Sequence, residues 1–91
     1  MLKILYSHKV KQDLKSISDF IAQDSPIYSI KTVQSIQKTI ALLSEFPYIG
    51  KTIDGSIREV IETKYRYKIV YEVSKIAVTI LSVYKYQNTW E

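Results

Sequence analysis

Apolar residues recur along this chain with two different periods, and the change between them divides it into a helical first half and a stranded second half. Leu2, Ile4 and Tyr6 alternate with Lys3 and Leu5, which predicts a short opening strand. Ser7 then offers a helix cap, and Val10, Leu14, Ile17 and Ile21 follow at steps of four, three and four. Lys9, Lys11, Gln12, Lys15 and Asp19 fall on the other faces of that helix. Asp24-Ser25-Pro26 is the clearest punctuation: Ser25 suits an N-cap, and Pro26 suits the first helical position, where its missing N–H costs nothing. A second apolar period runs through Ile30, Val33, Ile36, Ile40 and Leu43 to Phe46-Pro47, since proline disfavours helical geometry in the residue before it. Two helices near 8–23 and 26–46, joined by so few residues, should lie antiparallel as a hairpin.

Residues 47–56 hold both glycines and the second proline and read as a loop. Beyond it the period becomes two. Ile57–Ile61, Tyr67–Val73 and Ile76–Lys85 read as strands, the last two joined at Ser74-Lys75 by a link short enough for a tight hairpin. The tail, Tyr86–Glu91, has no period. The order is therefore β-α-α-β-β-β: one α+β domain over residues 1–91, with a helical hairpin on one face of a mostly antiparallel sheet. Val10, Leu14, Ile17, Ile21, Val33, Ile36, Ile40, Leu43, Ile69, Val78 and Ile80 are the expected core.

Composition narrows the chemistry. A chain of 91 residues, 46% hydrophobic, can build one core but has no room for an enclosed pocket and a second domain. Its functional site should be an open groove or a surface patch. With no cysteine, disulfides and thiolate metal sites are excluded, and the single histidine, His8, cannot build a histidine metal cluster. No metal or cofactor is expected. No apolar run approaches the ~18 residues of a membrane span, and the start lacks the apolar length of a secretory signal, so a cytoplasmic protein is expected. The net charge of +4 and pI near 9.3 fit nucleic acid, an acidic protein or nothing in particular.

One stretch concentrates that charge. In K-Y-R-Y-K-I-V-Y-E-V, residues 64–73, Lys64, Arg66 and Lys68 fall among tyrosines with no acid before Glu72. Tyr67, Ile69, Tyr71 and Val73 share one face of a strand and Arg66 and Lys68 the other. Such a strand can be ordinary sheet packing, or it can grip a phosphate backbone or an acidic partner. Arg58 has two readings as well, a structural pairing or a phosphate contact. Glu59, Glu62 and Glu72 alternate with apolar residues and form no paired-carboxylate site.

The ordered set of landmarks resembles the RelE/ParE family of toxins from bacterial type II toxin–antitoxin modules. It comprises Asp13-Leu14 through Ile17, Phe20 and Ile21; Ser25-Pro26; Leu43, Pro47, Gly50 and Lys51; Arg58-Glu59; the Tyr65-Arg66 to Val73 strand; and Ile80 to Val83. The Pro-x-x-Gly-Lys turn and the tyrosine-rich strand are similar to the ParE-like branch. The resemblance implies a growth-inhibiting toxin of a plasmid-stabilisation type of module that binds DNA gyrase and is held in check by a cognate antitoxin. RelE-like relatives instead cleave messenger RNA on the ribosome, and a third possibility is a degenerate, non-toxic member. Many relatives close with V-x-H-x-R-R-x-W. Here Lys85 stands where the histidine would be, and Gln87 and Asn88 replace the arginines, while Trp90 matches. If the endonuclease alternative holds, Lys64, Arg66, Lys85 and Tyr86 are the catalytic candidates. Arg58, Arg66, Lys68 and Trp90 are the candidates for partner binding.

Overall fold

A computed structural model of the protein describes residues 1–86, so the Trp90 expectation lies outside the described residues. The elements are β1 (Lys3–Tyr6), α1 (His8–Ala22), α2 (Pro26–Leu42), β2 (Lys51–Asp54), β3 (Ile57–Glu62), β4 (Tyr67–Val73) and β5 (Ala77–Lys85). Both helix starts follow from their caps. The Val10 amide donates to Ser7 Oγ and the Tyr28 amide to Ser25 Oγ, each at 3.1 Å, with Pro26 opening α2. The α+β fold expected from the sequence is present, with three differences.

The first is an added strand. Residues 51–54 are an edge strand paired antiparallel with β3, so the order is β-α-α-β-β-β-β. Gly55 turns the chain with a φ of 54°, and all four residues of β2 are exposed, which is why no alternation marked them. The second difference is that α2 stops at Leu42, before the residues that Pro47 restricts, and irregular turns complete the path. The third concerns the stripe on α2. Ile30 is exposed, while Ser29 and Thr32 are buried on the face that continues through Ile36, Ile40 and Leu43. Ser29 lies under α1, its hydroxyl donating to the Ser18 carbonyl at 2.8 Å, so small polar residues with internal partners permit the close helix contact.

The sheet order is β1-β5-β4-β3-β2. Only β1, parallel to β5, departs from the antiparallel pattern. Both helices cover one face; α1 packs over β5 and α2 reaches β3. Val10, Ile36, Leu43, Ile69, Tyr71, Val78 and Ile80 are fully buried between the layers, and each such side chain contributes ~1.5–3 kcal/mol of transfer free energy. Leu14 and Ile17 pack at the edge of this core. A register shift in the β4–β5 ladder leaves Leu81 unpaired, between Val70↔Ser82 and Tyr71↔Ile80. Beyond Ile80, β5 extends past β1, and α1 closes the open edge: the Val83 amide donates to Asp13 Oδ2 at 3.1 Å.

Candidate functional site

The β3–β4 hairpin puts the candidate cations at two separate ends of the sheet. At one end Arg58 is committed to the loop between α2 and β2. Its guanidinium donates to the carbonyls of Gly50 at 2.7 Å and Tyr48 at 3.3 Å and lies 5.0 Å from the centre of the Tyr48 ring. The Tyr71 hydroxyl completes the arrangement, donating to the Pro47 carbonyl at 2.8 Å and accepting from the Gly50 amide at 2.9 Å. A Cβ on Gly50 would sit 2.6 Å from the Glu59 carbonyl oxygen, so the Pro-x-x-Gly spacing reflects a close backbone approach. Burial raises the Tyr71 phenol above its ordinary pKa, and the Gly50 amide and Arg58 oppose that rise.

At the opposite end, residues 63–66 turn the chain from β3 to β4. The anchor of this turn is Glu62, which is only 2% exposed. Its carboxylate accepts from the Tyr65 amide at 3.0 Å, the Lys64 amide at 3.0 Å and Ser35 Oγ on α2 at 2.6 Å. A buried charge is tolerated because several donors surround it. Tyr65 meets Tyr28 of α2 edge to face, with ring centres 5.2 Å apart. Arg66 adopts a φ of 67°, a left-handed conformation uncommon for a residue that carries a Cβ.

This turn delivers two of the cations, Lys64 and Arg66, to a groove that Lys85 enters from the end of β5. Lys64, Arg66 and Lys85 share it with Asp13, Ile17, Phe20, Ile21, Tyr28, Tyr67 and Val83, in an open volume of about 720 Å³ between the helical hairpin and the end of β4 and β5. Lys85 bonds the Tyr65 carbonyl at 2.6 Å and lies 5.0 Å from the Tyr67 ring centre. Phe20, 72% exposed, and Tyr28, 53% exposed, stand on the helical wall. The groove thus joins an apolar floor to a cationic rim. Arg66 and Lys68 converge on the Tyr86 ring, at 5.4 and 5.0 Å from its centre, although Arg66 lies in the turn before β4 rather than on the strand face expected for it. Lys68 is partly neutralised by Glu59 at 3.4 Å.

Of the candidates, then, Lys64, Arg66 and Lys85 come together in the groove, Tyr86 and Lys68 lie beside Arg66, and Arg58 is at the far end. Two carboxylates that were not among the candidate site residues organise the groove. Glu62 holds the turn, and Asp13 joins α1 to β5 while accepting Lys9 at 3.0 Å. Their sequence signal was faint: a Glu facing inward before a turn, and an Asp one turn into an apolar helix. Within the groove the Tyr67 phenol is raised above its ordinary pKa, first by burial and then by Glu62 and Tyr28, so it stays protonated near neutrality. His8 is exposed on the first turn of α1, away from the groove lining. No group of three or more possible metal ligands occurs among the described residues.

Residues 4–90 match the family described as ParE toxin of type II toxin-antitoxin system, parDE. The fold is similar to that in the chromosomal ParDE toxin–antitoxin system from P. aeruginosa, with a TM-score of 0.83 and 19% identity over 96% of this chain and 98% of that one. It is also similar to the YoeB dimer from Staphylococcus aureus, with a TM-score of 0.62 and 20% identity over 94% of this chain and 97% of that one. Among curated proteins none matches the sequence.

Proposed function

The chain belongs to the ParE toxins of type II toxin–antitoxin systems, and from that premise we propose that it arrests growth by binding DNA gyrase, without covalent chemistry of its own. The observation that carries this reading is the groove with an apolar floor and cationic rim. Phe20 and Tyr28 offer exposed aromatic anchors, and Lys64, Arg66 and Lys85 surround them with charge, which is the composition of a protein-binding patch. Acid–base chemistry has less to work with there. Tyr67 is displaced away from neutrality, Asp13 is engaged by Lys9 and the Val83 amide, and the lining contains no histidine among the described residues.

A toxin of this type has a cognate antitoxin, and the same groove suits an acidic amphipathic segment that folds on contact. Covering the groove would neutralise the rim and bury the aromatics in one step. The test is direct. Purified protein should inhibit supercoiling by gyrase, and its expression should produce filamentous cells with an induced DNA-damage response. Adding the antitoxin should relieve both effects. The endonuclease reading draws on Lys64, Arg66 and Lys85 sharing one groove beside Tyr86. Codon-phased cuts in messenger RNA, with supercoiling untouched, would favour it and overturn the gyrase reading.

A further inference from the structure

The groove just described has a neighbour of different character. On the other side of the Lys64-Tyr65 ridge, the solvent face of α2 and the β3–β4 turn form a second open groove of about 670 Å³. Lys31, Gln34 and Lys38 line it from the helix, and Lys64 faces them from the turn. Lys31 and Lys38 are seven residues apart, two turns of one helix face, so their stems start roughly 10.5 Å apart. None of the three lysines forms an ion pair among the described residues. No carboxylate among those residues lines the groove, and the oxygens of Glu62, at the base of the turn, are occupied by Ser35 and the turn amides. The groove therefore has an excess of positive charge, with carboxamides between the cations.

We propose that this second groove holds the sugar–phosphate backbone of duplex DNA. Resting on the gyrase reading above, the proposal makes the toxin touch both components of an enzyme–DNA complex, the protein through the apolar groove and the DNA through the cationic one. Three features select this occupant. Lysine is depleted at the centre of protein–protein interfaces, which are built on apolar anchors, whereas lysines and carboxamides are common ligands of phosphate oxygens. The only aromatic in the lining among the described residues, Tyr65, is 9% exposed and packed against Tyr28, so no platform is available for stacking the unpaired bases of a single strand. The two lysines on α2 also stand on a rigid helix rather than a loop, suited to a stiff partner of fixed charge spacing.

The experiment measures binding of a fluorescent 30-base-pair DNA duplex to the purified protein by anisotropy across a range of salt concentrations. Wild type should bind, with log K falling linearly against log salt. Lys31→Ala with Lys38→Ala should weaken binding and reduce that slope by about 1.8, near 0.9 for each phosphate no longer neutralised. Both substitutions put a strong helix former at an exposed helical position, so melting should stay unchanged. An equal loss of charge elsewhere, Lys11→Ala with Lys75→Ala, should leave the slope close to wild type, since neither residue lines this groove. An equal effect from both pairs, tighter binding of single-stranded RNA than of duplex, or no binding to duplex at low salt would each overturn the proposal. Supercoiling assays on the same samples separate the two claims. Duplex binding that depends on Lys31 and Lys38 supports the groove even if gyrase is not inhibited, a result that would remove the gyrase reading alone.

Discussion

The two ends of the β3–β4 hairpin each hold an arginine and a buried tyrosine, and they use them in opposite ways. At the Arg58 end the charged and polar groups turn inward: guanidinium, phenol and glycine amide satisfy one another and the carbonyls of Pro47, Tyr48 and Gly50. At the Arg66 end the bonding is done by Glu62 and backbone amides, and the side chains of Lys64 and Arg66 make no hydrogen bond or ion pair among the described residues. Cations consumed in holding a loop have little left for a ligand. Cations held in place by something else are ready for one. The hairpin thus separates a structural end from the proposed binding end, although its sequence shows basic residues and tyrosines at both.

The largest expected effect falls on the structural end. Gly50→Ala puts a methyl group against the Tyr71 side chain and 2.6 Å from the Glu59 carbonyl, where a strand backbone cannot yield cheaply. Overpacking of this kind costs ~3 kcal/mol. In a domain of this size that is a fall in Tm of roughly 15–20 °C. A thermal melt measures it, and a variant that melts within two or three degrees of wild type would break the picture of a tight lock.

Next comes the anchor of the proposed binding end. Glu62→Ala strips the acceptor from the Lys64 and Tyr65 amides and from Ser35, and orphaned buried donors cost about 2–3 kcal/mol. The comparison sharpens in what else is lost. Glu62→Ala should weaken capture of the antitoxin, because the turn carries Lys64 and Arg66. Gly50→Ala, measured at a temperature where it remains folded, should leave capture intact. Equal losses of antitoxin affinity in the two folded variants would erase the division between the ends.

That division was only partly legible in the sequence. The helices, four of the five strands and most of the core followed from periods of about 3.6 and 2, because burial on one face imposes them directly. The edge strand β2 was not legible, since exposed residues carry no burial period. Nor was the start of the stripe on α2, where Ser29 and Thr32 rather than Ile30 are buried because their hydroxyls find carbonyl partners, which hydropathy does not register. For the candidate site, the density of cations at 64–68 pointed to the turn that lines the groove. It did not distinguish Arg58 from Arg66, because that difference lies in what each guanidinium reaches in three dimensions. Glu62 carried no signal beyond its place in an alternating strand.

A smaller effect concerns backbone strain at Arg66. An arginine with a φ of 67° costs ~1 kcal/mol relative to glycine in the same conformation. Arg66→Gly should therefore be at least as stable as wild type, and about 1 kcal/mol more stable than Arg66→Ala, measured by denaturant midpoint. Both should lose growth inhibition, because each removes a rim cation. Full toxicity of the glycine variant would remove the Arg66 cation from the proposed binding rim.

The least of the expected effects is in alkali, and it again contrasts the two ends. Burial raises the phenol pKa of both Tyr67 and Tyr71, but Glu62 adds to the rise at Tyr67 while the Gly50 amide and Arg58 offset it at Tyr71. A phenol whose folded pKa is raised keeps its proton where the unfolded chain, titrating near ~10, has lost it. The unfolded state then binds fewer protons, so stability is fully present below pH ~10 and declines as pH rises through the folded values. Tyr67→Phe should flatten that decline with little change at neutral pH. Tyr71→Phe should instead cost about 1 kcal/mol at neutral pH, since the Pro47 carbonyl and the Gly50 amide lose their partner, and should flatten the alkaline decline less. Urea midpoints from pH 7 to 11 resolve both effects, and a steeper alkaline decline in Tyr67→Phe than in wild type would contradict the assignment of the shift to burial and Glu62.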